Sequence, residues 1–189
     1  MEKVKQRPIA QVDNIVQLRR RAIWKNEDWN RHIARLASAL VAGDRQVLRP
    51  FKRVFRATPG DRPPKRVAVL VDNVEQGISL AHKLPGWRLA TAPDVHLDGM
   101  SRQDQDLLRS TTQMPGQGMP TIVTRAADQL NPRQLDVLIR ADAGTGLPPI
   151  KDAYLTVPNS DSHRLLLVDF DDRRHADLGR WTRKRRQAY

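Results

Sequence analysis

Four aspartates lie at or just after the ends of two short apolar runs, where they could bind a metal ion. They are Asp72, Asp169, Asp171 and Asp172. Hard oxygen ligands beyond the end of a strand suit Mg²⁺, so one hypothesis is a magnesium-dependent phosphotransfer or nuclease enzyme. The three C-terminal aspartates have a second interpretation, which we favour. In it they cap the following helix and pair with Arg173 or Arg174.

Five basic residues form the densest positive charge in the chain. They are Arg180, Arg183, Lys184, Arg185 and Arg186. Their spacing places positive charge on most sides of a predicted helix. Because phosphate binding depends mainly on accumulated charge, we expect these residues to contact a nucleic-acid backbone. The alternative is a solvated helix that docks on the sheet through Leu178 and Trp181.

The overall composition indicates the same kind of partner. The chain has 189 residues, with 33 Lys and Arg against 21 Asp and Glu, and a formal net charge of +12. Such a balance favours a polyanion, and nucleic acid, either DNA or RNA, is the commonest one. A solvated basic surface, or the basic part of a larger protein, is the alternative explanation.

Several classes of site are excluded or unsupported by the sequence. The chain has no cysteine, which excludes disulfides, thiolate metal sites and a cysteine nucleophile. Its five histidines lack the close spacing of a zinc site. No apolar run is long enough to span a membrane, and the N-terminal residues do not resemble a secretion signal. We therefore expect a soluble cytoplasmic protein without a membrane partner.

The pattern along the chain predicts three regions. They are a helical basic extension at 1–57, a Pro- and Gly-rich linker at 58–65 and an α/β domain at 66–189. The clearest helix of the extension begins after Asn26, which can cap it, and ends at Gly43. Residues 44–57 predict a basic amphipathic helix that is broken at Pro50.

Strands and helices alternate through the third region. The predicted strands are at 66–71, at 87–91 or 95–97, and at 121–123, 136–139 and 165–168. This alternation predicts the α/β class, with a parallel sheet flanked by helices and an N-terminal helical extension. Ligands on such sheets bind beyond the carboxyl ends of the strands. The polar groups expected there are Asp72-Asn73, Thr124-Arg125, Arg140–Asp142 and Asp169–Asp172. Residues 143–163 predict a long loop.

Five segments in a particular order carry a resemblance to a known family. They are WNRHIARLASAL, RVAVLVDNVEQGISLAHKL, VHLDGMSRQDQDLL, PTIVTRAADQL and LDVLIRADAG. This order resembles the C-terminal RecA-like domain of a superfamily two helicase of the DEAD/DEAH-like type, over residues 26–142. The resemblance implies a RecA-like parallel sheet, which is a P-loop NTPase fold. Residues 96–99 resemble the segment that follows motif IV in the family.

The resemblance also implies roles for individual residues. Thr124 resembles the motif V threonine, which contacts the nucleic-acid backbone in the family. Thr124 and its neighbour Arg125 are therefore implied nucleic-acid contacts. Ala127, from the same motif, and Asp142, after the next strand, are implied to lie near a nucleotide.

The phosphate-binding parts of that family are not recognisable in this sequence. There is no GxxxxGK[ST] phosphate loop, and the arginine motif that stabilises the transferred phosphate is not recognisable between Ala143 and His163. We therefore expect the isolated chain to hydrolyse no ATP and to need no cofactor. ATP and magnesium would bind only together with a separate or missing N-terminal motor domain. The chain is expected to be a fragment of a longer ancestral protein.

Three hypotheses follow for function. The leading one is a nucleic-acid-binding helicase C-terminal-like domain that completes an ATP-dependent motor only with that partner domain. The alternative is the magnesium-dependent enzyme that uses the strand-end aspartates. The third is a protein-interaction remnant that keeps the fold and neither activity.

Overall fold

The computed structural model describes residues 2–3, 9, 14–51, 66–92, 94–112, 119–125, 135–146, 148 and 165–188. The strands are β1 (Glu2–Lys3), β2 (Val67–Val71), β3 (Arg88–Ala90), β4 (Thr121–Thr124), β5 (Val137–Arg140) and β6 (Leu166–Asp171). The helices are α1 (Ile15–Arg19), a π-helical turn (Arg20–Trp24), α2 (Glu27–Ala42), α3 (Arg45–Leu48), α4 (Val74–Ala81), α5 (Arg102–Thr112) and α6 (Ala176–Ala188).

The centre of the fold is a five-stranded, all-parallel sheet in the order β3-β4-β2-β5-β6. All five residues of β2 are buried, as expected for an apolar strand with a neighbour on each side. Val69 of β2 pairs with Ile122 of β4 and with Ile139 of β5. The two-residue strand β1 adds in parallel to β6. The predicted α/β class, with its parallel sheet, flanking helices and N-terminal helices, is confirmed.

Helix α2 has the ends that the sequence predicts. The backbone N–H of Trp29 donates to the Asn26 side chain at 2.8 Å, which caps the helix start. Gly43 ends the helix in the left-handed conformation, at φ 67°. Ile33 and Leu40 are fully buried on one face. The helix therefore packs through an apolar stripe at helical spacing.

The N-terminal helices and the sheet share one hydrophobic core. Leu18 of α1 and Leu36 of α2 belong to the same buried cluster as Val69 and Ile139. A smaller apolar cluster on the opposite face of the sheet includes Leu70 and Leu138. Residues 52–65, which hold the predicted linker, lie outside the described residues. The division of the chain at 58–65 therefore stays a prediction.

Arg174 joins the N-terminal helices to the loop between β6 and α6. Its guanidinium donates to the backbone carbonyl of Ala22 at 3.0 Å and lies over the ring of Trp29, 4.8 Å from its centroid. The Trp29 ring in turn packs edge-on against Phe170 of β6, with centroids 4.9 Å apart. The end of the sheet nearest β6 is thus covered by the N-terminal helices.

Three elements differ from their predicted bounds. The weak second strand forms at Arg88–Ala90, within the first of its two predicted positions. Only Arg45–Leu48 of the predicted basic helix is helical among the described residues, and a turn begins before Pro50. Strand β6 continues to Asp171, past its apolar run, because the pairing of Arg140 with Asp169 extends the ladder to β5 and β1 pairs with the last two residues. Asp169 and Asp171 therefore lie within the strand rather than beyond it.

Among the helices that the structure describes, none is long and apolar enough to cross a bilayer.

Candidate functional site

The carboxyl ends of β4, β5 and β6 bring together a group of charged side chains, which we call the strand-end cluster. Its members are Arg125, Arg140, Asp142, Asp169 and Arg185. The first three follow or end β4 and β5, Asp169 lies in β6, and Arg185 reaches the sheet from α6. The cluster thus lies at the carboxyl ends of the strands, where ligands of parallel sheets bind.

Asp142 is at the centre of the cluster. Its Oδ1 accepts a hydrogen bond from Arg140 Nε at 2.8 Å, and its Oδ2 accepts one from the backbone N–H of Gly144 at 2.9 Å. Arg125 Nη1 lies 3.2 Å from the same Oδ2. The side chains of Arg140 and Asp142 are fully buried, whereas that of Arg125 is 37% exposed. Arg125 is therefore the member through which this group reaches solvent.

Arg185 is held inside the protein. Its Nε donates to Asp169 Oδ2 at 2.9 Å, Nη2 donates to the Phe170 carbonyl at 3.1 Å, and Nη1 donates to the Gly144 carbonyl at 3.3 Å. The residue is only 5% exposed. The sequence predicts Arg185 as one of five basic residues that contact phosphates, but the structure buries it apart from the other four. Its spacing from Leu178 and Trp181, seven and four residues earlier, was the signal that it shares their buried face.

The other four basic residues of α6 are exposed. Arg180 pairs with Asp177 at 2.7 Å, and Arg186 pairs with Asp171 at 2.8 Å. Arg183 and Lys184 have no acidic partner among the described residues. We call these four residues the basic face of α6. Arg183 and Lys184 are its two uncompensated charges.

The structure places the remaining site residues in different surroundings. Thr124 is buried, and its hydroxyl has no hydrogen-bond partner within the described part of the chain. It lies one residue before Arg125, at the end of β4. Ala127 falls outside the described residues. Asp142, the residue implied to lie near a nucleotide, is enclosed by arginines.

The aspartates proposed as magnesium ligands are each bound by nitrogen donors of this chain. Asp72 accepts a hydrogen bond from Trp24 Nε1 at 2.9 Å, and Asp169 accepts one from Arg185. Asp172 accepts from Arg174 Nε at 2.9 Å and from the Arg174 backbone N–H at 3.1 Å. Within the described ranges, no three acidic or histidine side chains converge as a metal site would require.

Asp171 is kept charged by the arginines beside it. Burial alone raises the pKa of Asp171, but hydrogen bonds and positive charge from Arg173 and Arg186 outweigh it and hold the pKa below its usual value. Its Oδ2 lies 3.0 Å from Arg173 and 2.8 Å from Arg186. The favoured interpretation is confirmed in its pairing of Asp171 with Arg173 and of Asp172 with Arg174. Asp169 pairs with Arg185 instead, and Asp172 accepts the backbone N–H of Arg174 rather than one in the first turn of α6.

Comparisons of the chain with protein-family models, with curated proteins and with solved structures find no match. The candidate sites for function are therefore the two charged groups described above, the strand-end cluster and the basic face of α6. Both groups belong to an α/β protein with a five-stranded, all-parallel sheet flanked by helices.

Proposed function

We propose that this chain is a nucleic-acid-binding domain of the helicase C-terminal type. It contacts the phosphate backbone of DNA or RNA through the basic face of α6. It completes an ATP-dependent motor only together with a separate N-terminal motor domain. The observation that carries the proposal is the pair Arg183 and Lys184, which are exposed on α6 without an acidic partner among the described residues.

The charge balance of the chain supports a polyanionic ligand. A net charge of +12 favours association with a polyanion such as nucleic acid. At close range, exposed cations that lack a carboxylate partner are the ones free to replace counterions on phosphates. Arg180 and Arg186 can add to the contact only by partly leaving Asp177 and Asp171. Arg183 and Lys184 should therefore dominate binding at the basic face.

Arg125 is the candidate for a second contact. Its guanidinium uses one nitrogen for Asp142 and is more than one-third exposed, so donors remain for a phosphate oxygen. Thr124 supports this site less directly, because its hydroxyl is buried. Asp142, which is itself bound by Arg140, holds the Arg125 side chain in position.

Two features of the sequence support a role in an ATP-dependent motor that needs a partner domain. The segment order resembles the C-terminal half of a superfamily two helicase, while the sequence has no GxxxxGK[ST] loop to hold nucleotide phosphates. The isolated chain is therefore expected to hydrolyse no ATP, and magnesium-ATP should leave its nucleic-acid affinity unchanged. Measurable ATP hydrolysis by the purified chain would contradict this part.

The test is fluorescence anisotropy with labelled single-stranded and duplex DNA and RNA across a salt series. The variant is the double substitution Arg183→Gln and Lys184→Gln. If both residues contact phosphates on a duplex, the slope of log affinity against log salt should fall by about 1.8, and by about 1.4 on a single strand.

The control removes two positive charges elsewhere, by Arg31→Gln and Arg102→Gln. Both arginines are exposed, on α2 and α5. The control therefore lowers the net charge by two, as the double substitution at Arg183 and Lys184 does. The control should keep the wild-type slope. Equal loss in both double variants would mean that the chain attracts polyanions only through its net charge. No binding at low salt would overturn the proposal outright.

A further inference from the structure

A cavity of about 300 Å³ lies at the β3 edge of the sheet, away from the charged groups described above. It opens to solvent and is lined by β3, by described residues that follow β3, and by the last turns of α5. The larger apolar side chains that line it are Leu89, Val95, Leu97 and Leu108. Leu89 and Leu108 are buried, and Val95 and Leu97 are half-buried. The volume is at the lower limit of pockets that hold small molecules in proteins, about 300–1,000 Å³.

The charged groups at this cavity are all of one sign. Arg88 and Arg109 line it, and no acidic side chain does so among the described lining residues. The hydroxyls of Thr91 and Thr112, which also line it, donate to backbone carbonyls of their own segments. The guanidinium groups are therefore the strongest hydrogen-bond donors that a ligand would meet.

Arg109 is free to change partners. Among the described residues its ion pair is with Asp106, at 3.5 Å, and both side chains are more than half exposed. An exposed pair at this separation contributes little stability, so an anion that enters the cavity can replace it. A carboxylate or sulfonate can accept two parallel N–H donors from one guanidinium, which favours the exchange.

From these contacts we propose that the cavity binds a small amphipathic anion, with one carboxylate or sulfonate group on an apolar body. The apolar body lies against Leu89, Val95 and Leu108, and the acid group is bound by Arg109. This site goes beyond the nucleic-acid function and is independent of it, because β3 and β6 are at opposite edges of the five-stranded sheet and α6 packs at β6.

The probe is the fluorescent dye 8-anilinonaphthalene-1-sulfonate, which combines a sulfonate with an apolar ring system. We expect one dye molecule per chain, displaced by octanoate and not by uncharged octan-1-ol at the same concentration. Arg109→Glu should weaken dye binding by about tenfold or more, because it reverses the charge that meets the sulfonate. Arg109→Gln should have a smaller effect in the same direction.

The matched control is Arg102→Glu, which makes the same charge reversal in the first turn of the same helix. It should bind the dye as the unsubstituted chain does. Cooperative urea unfolding of each variant shows that dye fluorescence does not come from a loosened core. Equal weakening by Arg102→Glu and Arg109→Glu, or equal displacement by octan-1-ol and octanoate, would overturn the proposal, as would the absence of stoichiometric dye binding.

Discussion

The buried charges of this protein are organised around arginines that each bind a carboxylate and a backbone carbonyl. Arg140 binds Asp142 and Gly146, and Arg185 binds Asp169, Phe170 and Gly144. A buried charge is tolerated only when it is paired and its remaining donors are satisfied. Arg140 and Arg185 therefore stabilise the interior of the fold, besides lying at the candidate site.

Gly144 is the residue on which the strand-end cluster is most closely packed. A β-carbon built at this position would overlap the Arg125 guanidinium and the Asp142 carboxylate, and would lie 2.8 Å from Arg140 Nη2. We expect Gly144→Ala to lower the free energy of unfolding by about 1–3 kcal/mol, because the paired charges must move apart to admit a methyl group. Urea denaturation measures the change.

Gly146→Ala is the control for this substitution. A β-carbon at Gly146 meets no atom within 4 Å, so the same chemical change adds no overlap. The two variants should differ clearly in unfolding midpoint. If the two variants are equally stable, steric overlap with the strand-end cluster is not what disfavours a side chain at position 144.

Individual charged residues were predictable where their partners are neighbours in sequence. Asp171 pairs with Arg173, and Asp172 pairs with Arg174. In each pair the two residues are two positions apart, at the end of β6, so local sequence is enough to predict them. The partner of Arg185 lies sixteen residues away in another element, at Asp169. No local pattern specifies a partner at that separation in sequence. The spacing of Arg185 from Leu178 and Trp181 along α6 is the one local signal that its side chain points inward.

Helix α6 combines two roles on two faces. Leu178, Trp181 and Arg185 form its buried face, whereas Arg183 and Lys184 point to solvent. At 100° per residue, Arg183 and Arg185 project from nearly opposite sides of the helix. One face of α6 therefore fastens the helix to β6, and the other presents the positive charge on which the proposed function depends.

Arg185→Gln should separate these two roles. It leaves Asp169 buried without its cation, and removing one partner of a buried pair costs about 3–5 kcal/mol. Arg183→Gln removes the same charge from an exposed position and should leave the unfolding midpoint almost unchanged. Urea unfolding monitored by tryptophan fluorescence distinguishes the two. Equal stability of both variants would show that the Arg185–Asp169 pair contributes no net stability.

Most elements could be predicted from local pattern, and the exceptions have physical causes. Strand β2 and helix α2 are strongly periodic or apolar, and α2 carries its own caps. Strand β1 has two polar residues and forms by pairing with β6, which no local propensity specifies. The sequence predicts no π-helical turn at Arg20–Trp24, because local pattern does not distinguish π-helical from α-helical backbone. The last residue of the turn, Trp24, donates to Asp72, which lies 48 residues later in the chain.

For the molecule as a whole, the N-terminal helices are part of the globular core. They contact the sheet through Leu18, Ile33 and Trp29, and Arg174 joins them to the β6 end. His32 of α2 lies within this contact region, between the rings of Phe51 and Phe170, at centroid distances of 5.1 and 5.9 Å. The protonation of one histidine therefore bears on the stability of the whole fold.

Mild acid should destabilise the protein through His32. Burial lowers the pKa of His32 below its ordinary 6.5, and the positive charges of Arg35 and Arg174 lower it further. Since the unfolded chain then binds the proton more tightly than the folded chain, stability is present above the ordinary pKa and is lost as the pH falls below it. Urea midpoints at about pH 7.5 and about pH 5 measure the loss.

His32→Gln should flatten this pH dependence, because the glutamine does not titrate. His96→Gln is the control, since His96 is exposed and should keep the wild-type dependence. The carboxylates with lowered pKa values, such as Asp171, lose their contribution only at more acidic pH. An unchanged slope in the His32 variant would assign the mild-acid loss to another group.

The central position of β2 has a consequence for synthesis on the ribosome. Ala68 pairs with Thr121 of β4 and Val67 with Val137 of β5, so the first neighbour of β2 is made about 53 residues after β2. At roughly 5–20 residues per second, the nascent chain carries an unpaired, wholly apolar strand for about 3–11 s. This protein should therefore depend on holding chaperones during translation more than a protein of similar size whose strands close as local hairpins.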